Sequence, residues 1–138
     1  MAEINKVGLL ILDEAGRFLM CKKSRDTSRL ILPGGRIEDG ETDRQCLDRE
    51  LVEELGPVTA CDVQWLGVYT ATAHHDDPSI RKTLEIRLYQ GELEGTPTPS
   101  AEISGLHWFG PDDDLGLLTP IFTDHILPDL RQRGILAW

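Results

Sequence analysis

The stretch "GGRIEDGETDRQCLDRELVEELG", Gly34 to Gly56, holds eight carboxylates and three arginines. It reads as a glycine-rich loop followed by one helix. Thr42 and Gln45 make a Thr-x-x-Gln capping box at the helix start, and Gly56-Pro57 supplies a left-handed cap and a stop. Between these limits Leu47, Leu51 and Leu55 recur every fourth residue, the stripe that an amphipathic helix buries. Helical spacing places Glu50, Glu53 and Glu54 at i, i+3 and i+4, within one arc that borders this stripe. Upstream, Gly34 and Gly35 follow Pro33 and free the backbone to approach something closely.

Three acids on one arc repel one another. Exposed like charges at these spacings cost a few tenths of a kcal/mol each. Unit charges about 4 Å apart cost roughly 4 kcal/mol at an effective dielectric of about 20. A hard divalent cation, Mg²⁺ or Mn²⁺, would remove the repulsion, because such ions take several oxygen ligands and bridge carboxylates to substrate phosphates. Acids standing alone would instead read as a solvated helix face.

The rest of the composition narrows the function classes. At 138 residues the chain is expected to form a single domain spanning 1–138, large enough to bury a core without disulfides. A formal charge of -10 argues against polymeric nucleic acid as a partner, since phosphate backbones are met by clustered Lys and Arg. A small phosphorylated ligand remains compatible, because a bound cation reverses the local field. Cys21, Cys46 and Cys61 are scattered and odd in number, which reads as free thiols in a reducing, cytoplasmic setting. The run Val7 to Leu12 is too short to span a membrane and lacks a signal peptide's basic flank and cleavage site. The oligomeric state stays open, a homodimer included.

Outward from the helix, Val7 to Leu12 and Arg17 to Lys22 read as two strands of a hairpin joined by "DEAG". A brief run before Pro33 is a third strand, and a loop is expected from the glycine pair through Gly40. Val63 to Ala73 and Thr83 to Glu94 read as a long hairpin around "HHDDPS". "GTPTPS" reads as a loop, "GLHWF" as a short strand and "GPDDDLG" as a solvated turn. Thr119 and Pro120 begin a last helix, which runs to about Arg133 with a kink at Pro128. The fold class is α/β, a sandwich of mixed strands between two helices.

Counting from Gly35 gives glycine, five residues, Glu41, seven residues, then Arg49-Glu50-Leu51-Val52-Glu53-Glu54-Leu55-Gly56. This resembles the Nudix box, G-x5-E-x7-R-E-U-x-E-E-x-G-U with U aliphatic, at every fixed position except the last, where Pro57 stands. The resemblance implies a Nudix-type α/β/α sandwich with a mixed central sheet and a Nudix loop-helix. It also implies divalent-metal hydrolysis of a nucleoside diphosphate linked to another group. By resemblance Glu50, Glu53 and Glu54 are metal ligands, the Gly34 carbonyl completes the sphere, and Glu41 and Arg49 brace the loop against the helix. Glu53 or Glu54 is a candidate general base. So is Glu102, since in MutT-type enzymes a glutamate lies the same distance ahead of a tryptophan, here Trp108.

Substrate choice is less legible. Lys22, Lys23, Arg25 and Arg29 precede the glycine pair and are candidates to meet a phosphate tail, or are solubilising surface charge. His74, His75, Asp76 and Asp77 read as a solvated tip. Trp65 and Trp108 read as core or edge aromatics, and Trp138 as exposed or docked on a partner. MutT-type enzymes that remove oxidised guanine nucleotides use an asparagine near the start of the last helix, where this chain has Thr119 and Pro120; its one asparagine is Asn5. The ADP-ribose subclass carries a proline soon after the box, and beyond Pro57 the next here is Pro78. Three readings follow: a nucleoside triphosphate pyrophosphohydrolase releasing a monophosphate and pyrophosphate, a hydrolase of nucleotide sugars or other nucleoside diphosphate derivatives, and a non-catalytic nucleotide-sensing module.

Overall fold

The computed structural model describes residues 2–25, 29–74 and 81–138. In chain order it contains β1 (Ile4–Leu10), β2 (Phe18–Lys23), β3 (Leu30–Ile31), β4 (Gly34–Arg36), α1 (Asp43–Leu55), β5 (Thr59–His74), β6 (Arg81–Glu94) and β7 (Ile103–Phe109). A 3₁₀ turn (Leu115–Leu117), a π-helical turn (Phe122–Ile126) and α2 (Leu127–Gln132) follow.

The strands form two sheets. One is mixed, ordered β4-β1-β6-β5, with β1 parallel to β6 and antiparallel to β4; the other is antiparallel, ordered β3-β2-β7. β1 is covered on both faces, which is why it reads as a near-continuous apolar run. Val7, Leu9 and Ile11 face Leu47, Leu51 and Leu55 of α1, whereas Leu10 joins Phe18, Met20, Leu88 and Phe109 in a second cluster. Residues of the last helical segment, Phe122, Ile126, Leu127 and Leu130, close that cluster from the other side. The result is helix, sheets, helix.

Three sequence expectations change. The first two strands do turn about Asp13, whose Oδ1 accepts from the N–H groups of Ala15 and Arg17. They make no hairpin: after a single bridge between Leu12 and Phe18 they part into different sheets, because each finds longer partners elsewhere. The expected loop after Pro33 begins as a strand, β4, with Gly8 opposite Gly34 and Val7 opposite Gly35. Gly34 adopts φ 131°, and a Cβ there would lie 2.0 Å from the Val7 carbonyl oxygen, so only glycine permits this pairing. The last helix is not simply kinked. Pro128 has no N–H to donate to the carbonyl four residues back, and the helix widens ahead of it into a π turn in which the Leu127 N–H reaches Phe122 O.

The tip of the β5–β6 hairpin, with His75, Asp76 and Asp77, lies outside the described residues. So does the His74 side chain. No helix among the described residues is long and apolar enough to cross a membrane.

Candidate active site

α1 is held at both ends. Thr42 Oγ1 accepts from the Gln45 N–H at 3.1 Å, and Gln45 Oε1 accepts from the Thr42 N–H at 2.9 Å, which closes the expected capping box. At the other end Gly56 has φ 77° but ψ -155°, since a following proline pushes its predecessor toward extended backbone. The open carbonyls there are satisfied by the loop that ends "TPS". The Thr98 N–H donates to Leu55 O at 2.8 Å, the Ser100 N–H to Glu54 O at 3.0 Å, and Ser100 Oγ to Glu53 O at 2.5 Å. Glu102, two residues on, is thereby tied to the end of α1 that carries Glu53 and Glu54.

Arg49 organises the acids. Its Nε and Nη2 grip both oxygens of Glu41, at 2.8 and 2.9 Å, its Nη2 donates to Arg36 O at 3.0 Å, and its Nη1 to Glu50 Oε1 at 3.0 Å. One guanidinium thus joins the loop, β4 and α1, as its planar fork allows. The hydrogen bonds from Arg49 and from the Glu38 N–H hold the Glu41 carboxyl down to about 2.

The three arc acids differ in surroundings. Glu53 is exposed. Glu50 is half-buried and packs on Gly35, where a Cβ would lie 2.4 Å from the Glu50 carboxyl carbon. Glu54 is buried, 9 % exposed, and its Oε1 accepts from the Gly34 N–H at 2.9 Å. Burial, with Glu50 and Glu53 nearby, pushes the Glu54 carboxyl up to about 8, although the Gly34 N–H and Lys23 oppose the shift. The glycine pair therefore touches what the sequence left unnamed: Gly34 the backbone of β1 and the Glu54 carboxylate, Gly35 the Glu50 carboxylate.

These acids do not form a closed cage. Among the described residues the trio whose ligand atoms all lie within 4.8 Å is Cys61, Asp62 and Glu92, on the β5–β6 ladder. Glu50 is turned to Arg49 and Glu54 to Gly34. The donor set nevertheless fits Mg²⁺ or Mn²⁺: all oxygen, with one buried carboxyl group, Glu54, that among the described residues has no cation in hydrogen-bond contact. Magnesium is usually held by one or two carboxylates plus substrate phosphates rather than by an all-protein cage.

Beside the acids a cleft of about 120 Å³ opens between the two sheets. Gly34 and Gly35 line it together with Met20, Leu84, Ile86 and Phe122, so the same two glycines border cleft and carboxylates. Among its described lining residues Lys6 and Thr119 carry the polar side chains. The sequence reading missed Lys6. Its signal was a charge at an inward position of β1, on the face it shares with Gly8 and Leu10.

The four candidate cations separate. Lys23 and Arg25 line a second cleft with Ser24, Ala101 and Glu102, and the field of Lys23 reaches Glu54. Lys22 is exposed on the opposite face of β2, and Arg29 Nη1 donates to Leu118 O at 3.4 Å. Trp65 and Trp108 are exposed edge aromatics. Trp138 stacks within the chain on Phe18, with ring centroids 5.7 Å apart.

The model of the NUDIX domain matches residues 4–129. The chain is 30% identical over 105 residues to the "Putative 8-oxo-dGTP diphosphatase" of Bacillus subtilis (strain 168), covering 75% of this chain and 64% of that protein. It is 36% identical over 80 residues to the "Putative 8-oxo-dGTP diphosphatase 2" of Mycobacterium tuberculosis (strain ATCC 25618 / H37Rv), covering 58% of this chain and 52% of that one. The match thus spans less than two thirds of either relative. Among solved structures, a MutT NUDIX hydrolase from Burkholderia pseudomallei superposes with a TM-score of 0.71 at 24% identity, covering 94% of this chain and 96% of that one. The E. coli ORF135 protein superposes with a TM-score of 0.69 at 22% identity, covering 96% and 91%.

Proposed function

The chain belongs to the Nudix family, and on that premise we propose that it is a Mg²⁺- or Mn²⁺-dependent pyrophosphohydrolase that converts a nucleoside triphosphate to the monophosphate and pyrophosphate. One observation carries the reading: Gly34 and Gly35 join an apolar cleft of ring size to the carboxylates of Glu54 and Glu50. A base seated in that cleft would send its phosphates toward the acid arc. The relatives' names, 8-oxo-dGTP diphosphatases, support a nucleoside triphosphate over a nucleotide sugar.

In this reading Glu50, Glu53 and Glu54 hold the cation, with the Gly34 carbonyl as a further oxygen. When bound there, such a cation would supply a lowered pKa for water and charge neutralisation at the phosphate oxygens. Arg49 and Glu41 fix the loop and helix so that these carboxylates keep their positions. Lys23 and Arg25 draw the phosphate tail to the second cleft. Glu102, beside them, is the candidate that takes the proton from the attacking water, with Glu53 and Glu54 as the other two. Thr119 lines the cleft near the start of the last helix, the region where MutT-type enzymes that remove oxidised guanine nucleotides carry an asparagine. This argues against oxidised dGTP as the specific substrate and makes it one to test within the class. The acidic surface and free thiols fit a small nucleotide substrate in the cytoplasm.

The test is release of monophosphate and pyrophosphate from nucleoside triphosphates, nucleotide sugars and dinucleotides, with Mg²⁺ or Mn²⁺, for the wild type and Glu54→Gln. Triphosphate turnover that falls by at least about a hundredfold in Glu54→Gln is the expected result. Binding of nucleotides without turnover of any class would make the acid arc part of a sensing module.

A further inference from the structure

We propose that Lys6 is a specificity-determining residue of the cleft: its ammonium donates to a carbonyl oxygen of the bound base, so that triphosphates of guanine and thymine are preferred over those of adenine and cytosine. The inference rests on the nucleoside triphosphate reading above.

Lys6 lies on the inner face of β1. Two residues along the same face, a Cβ on Gly8 would face Leu32, Ile86 and Leu88, so this face looks into the apolar space between the sheets. A lysine there gives up hydration. The fields of Glu54 and Glu50 offset this only in part, since Lys23 and Arg36 oppose them, and neither carboxylate is bonded to Lys6: Glu54 accepts from the Gly34 N–H and Glu50 from Arg49. Among the described residues no carboxylate lies within 4.0 Å of the Lys6 ammonium. Its donors are left to whatever enters the cleft.

Lysine offers three donors and no acceptor. The other polar side chain in the lining, Thr119, offers a hydroxyl. At about 120 Å³ the cleft is of the order that admits one six-membered ring, so one ring edge is presented to these two groups. Guanine and thymine present a carbonyl oxygen on the ring edge away from the sugar, O6 and O4. Adenine and cytosine present an amino group there, and this donor opposes the ammonium. The alternative is that Lys6 contacts a phosphate, since it sits in the field of Glu54 and Glu50. That role would serve all four bases equally, and this separates the two.

The experiment measures kcat/KM for dGTP, dTTP, dCTP and dATP with the wild type, Lys6→Met and Lys6→Arg. In parallel, Kd values for dGMP and dAMP are measured in EDTA by calorimetry, a readout independent of turnover. The wild type should favour dGTP and dTTP over dATP and dCTP by at least about tenfold, the scale of one charge-assisted hydrogen bond. Lys6→Met should bring the ratio to within about threefold, while Lys6→Arg, which keeps a charged donor, retains the preference. The ratio of Kd values should move in the same way. An equal loss for all four substrates in Lys6→Met, or no preference in the wild type, overturns the inference and leaves the hydrolase reading intact. Failure to hydrolyse any triphosphate, with a Lys6-dependent preference for dGMP over dAMP retained, sinks the hydrolase reading instead and supports base reading by Lys6.

Discussion

Glu54 is the residue at which folding and chemistry conflict. Its carboxyl sits in the buried stripe of α1, and burial raises its pKa from the ordinary 4.5 to about 8. The folded state therefore binds the Glu54 proton more tightly than the unfolded chain does. The resulting stability is fully present below about 4.5 and is lost as pH rises through about 8. In EDTA, the wild type is expected to lose a few kcal/mol relative to Glu54→Gln between pH 5 and pH 9, an order of magnitude set by roughly 1.4 kcal/mol per pKa unit. Urea midpoints at both pH values would measure it, and parallel curves for the two proteins would refute it. Added Mg²⁺ should narrow the gap by binding the folded form. Glu41 titrates in the opposite sense. Arg49 holds its carboxyl down, so its contribution is present above about 4.5 and fades toward pH 2.

At the scale of elements, the short strand β4 does two jobs with adjacent glycines. Gly34→Ala sets a Cβ against the Val7 carbonyl oxygen at a φ of 131°, where no side chain fits, and should cost about 3 kcal/mol or more through strain and overpacking. For Gly35→Ala the nearest atoms are the movable carboxyl end of Glu50. It should leave the melting temperature nearly unchanged and depress turnover at least about tenfold by displacing that carboxylate, a single interaction's worth of transition-state stabilisation. Thermal melts and kcat for the pair check both, and equal effects of the two substitutions on stability would refute the division. The limits of α1, its leucine stripe and its acid arc were legible because they depend on neighbours within a turn or two. The glycine pair announced a close approach, but the sequence did not name the partner, Glu50, fifteen positions on from Gly35. Neither was the service of Thr98 and Ser100 to α1 legible, since local pattern reads "GTPTPS" only as a loop. Lys6 was passed over for the same reason: its meaning depends on which strands flank β1.

At the scale of the whole molecule, the strand pairings were the least legible feature, because two sheets share one set of short apolar runs. Proximity along the chain suggested a hairpin of the first two strands, yet Ile4 pairs with Leu84 and Leu10 with Gln90. β5 and β6 are the one long pairing between consecutive strands. A loop of that size between β1 and β6 must close before its contacts stabilise anything, and such topologies fold in milliseconds to seconds rather than microseconds. β5 and β6 are therefore the natural nucleus, with β1 arriving later. Stopped-flow refolding should show Leu93→Ala, on β6, slowing folding, and Val7→Ala, on β1, chiefly accelerating unfolding; the reverse assignment would refute this order. β1 is also the strand that carries Lys6, seats β4 and backs α1. Until it docks, Gly34 has no β1 backbone to press against and β4 has no strand to hold it beside the acids. A newly made chain would thus complete the proposed site in a single late step, and a partly assembled one would hold its acids and its cleft apart.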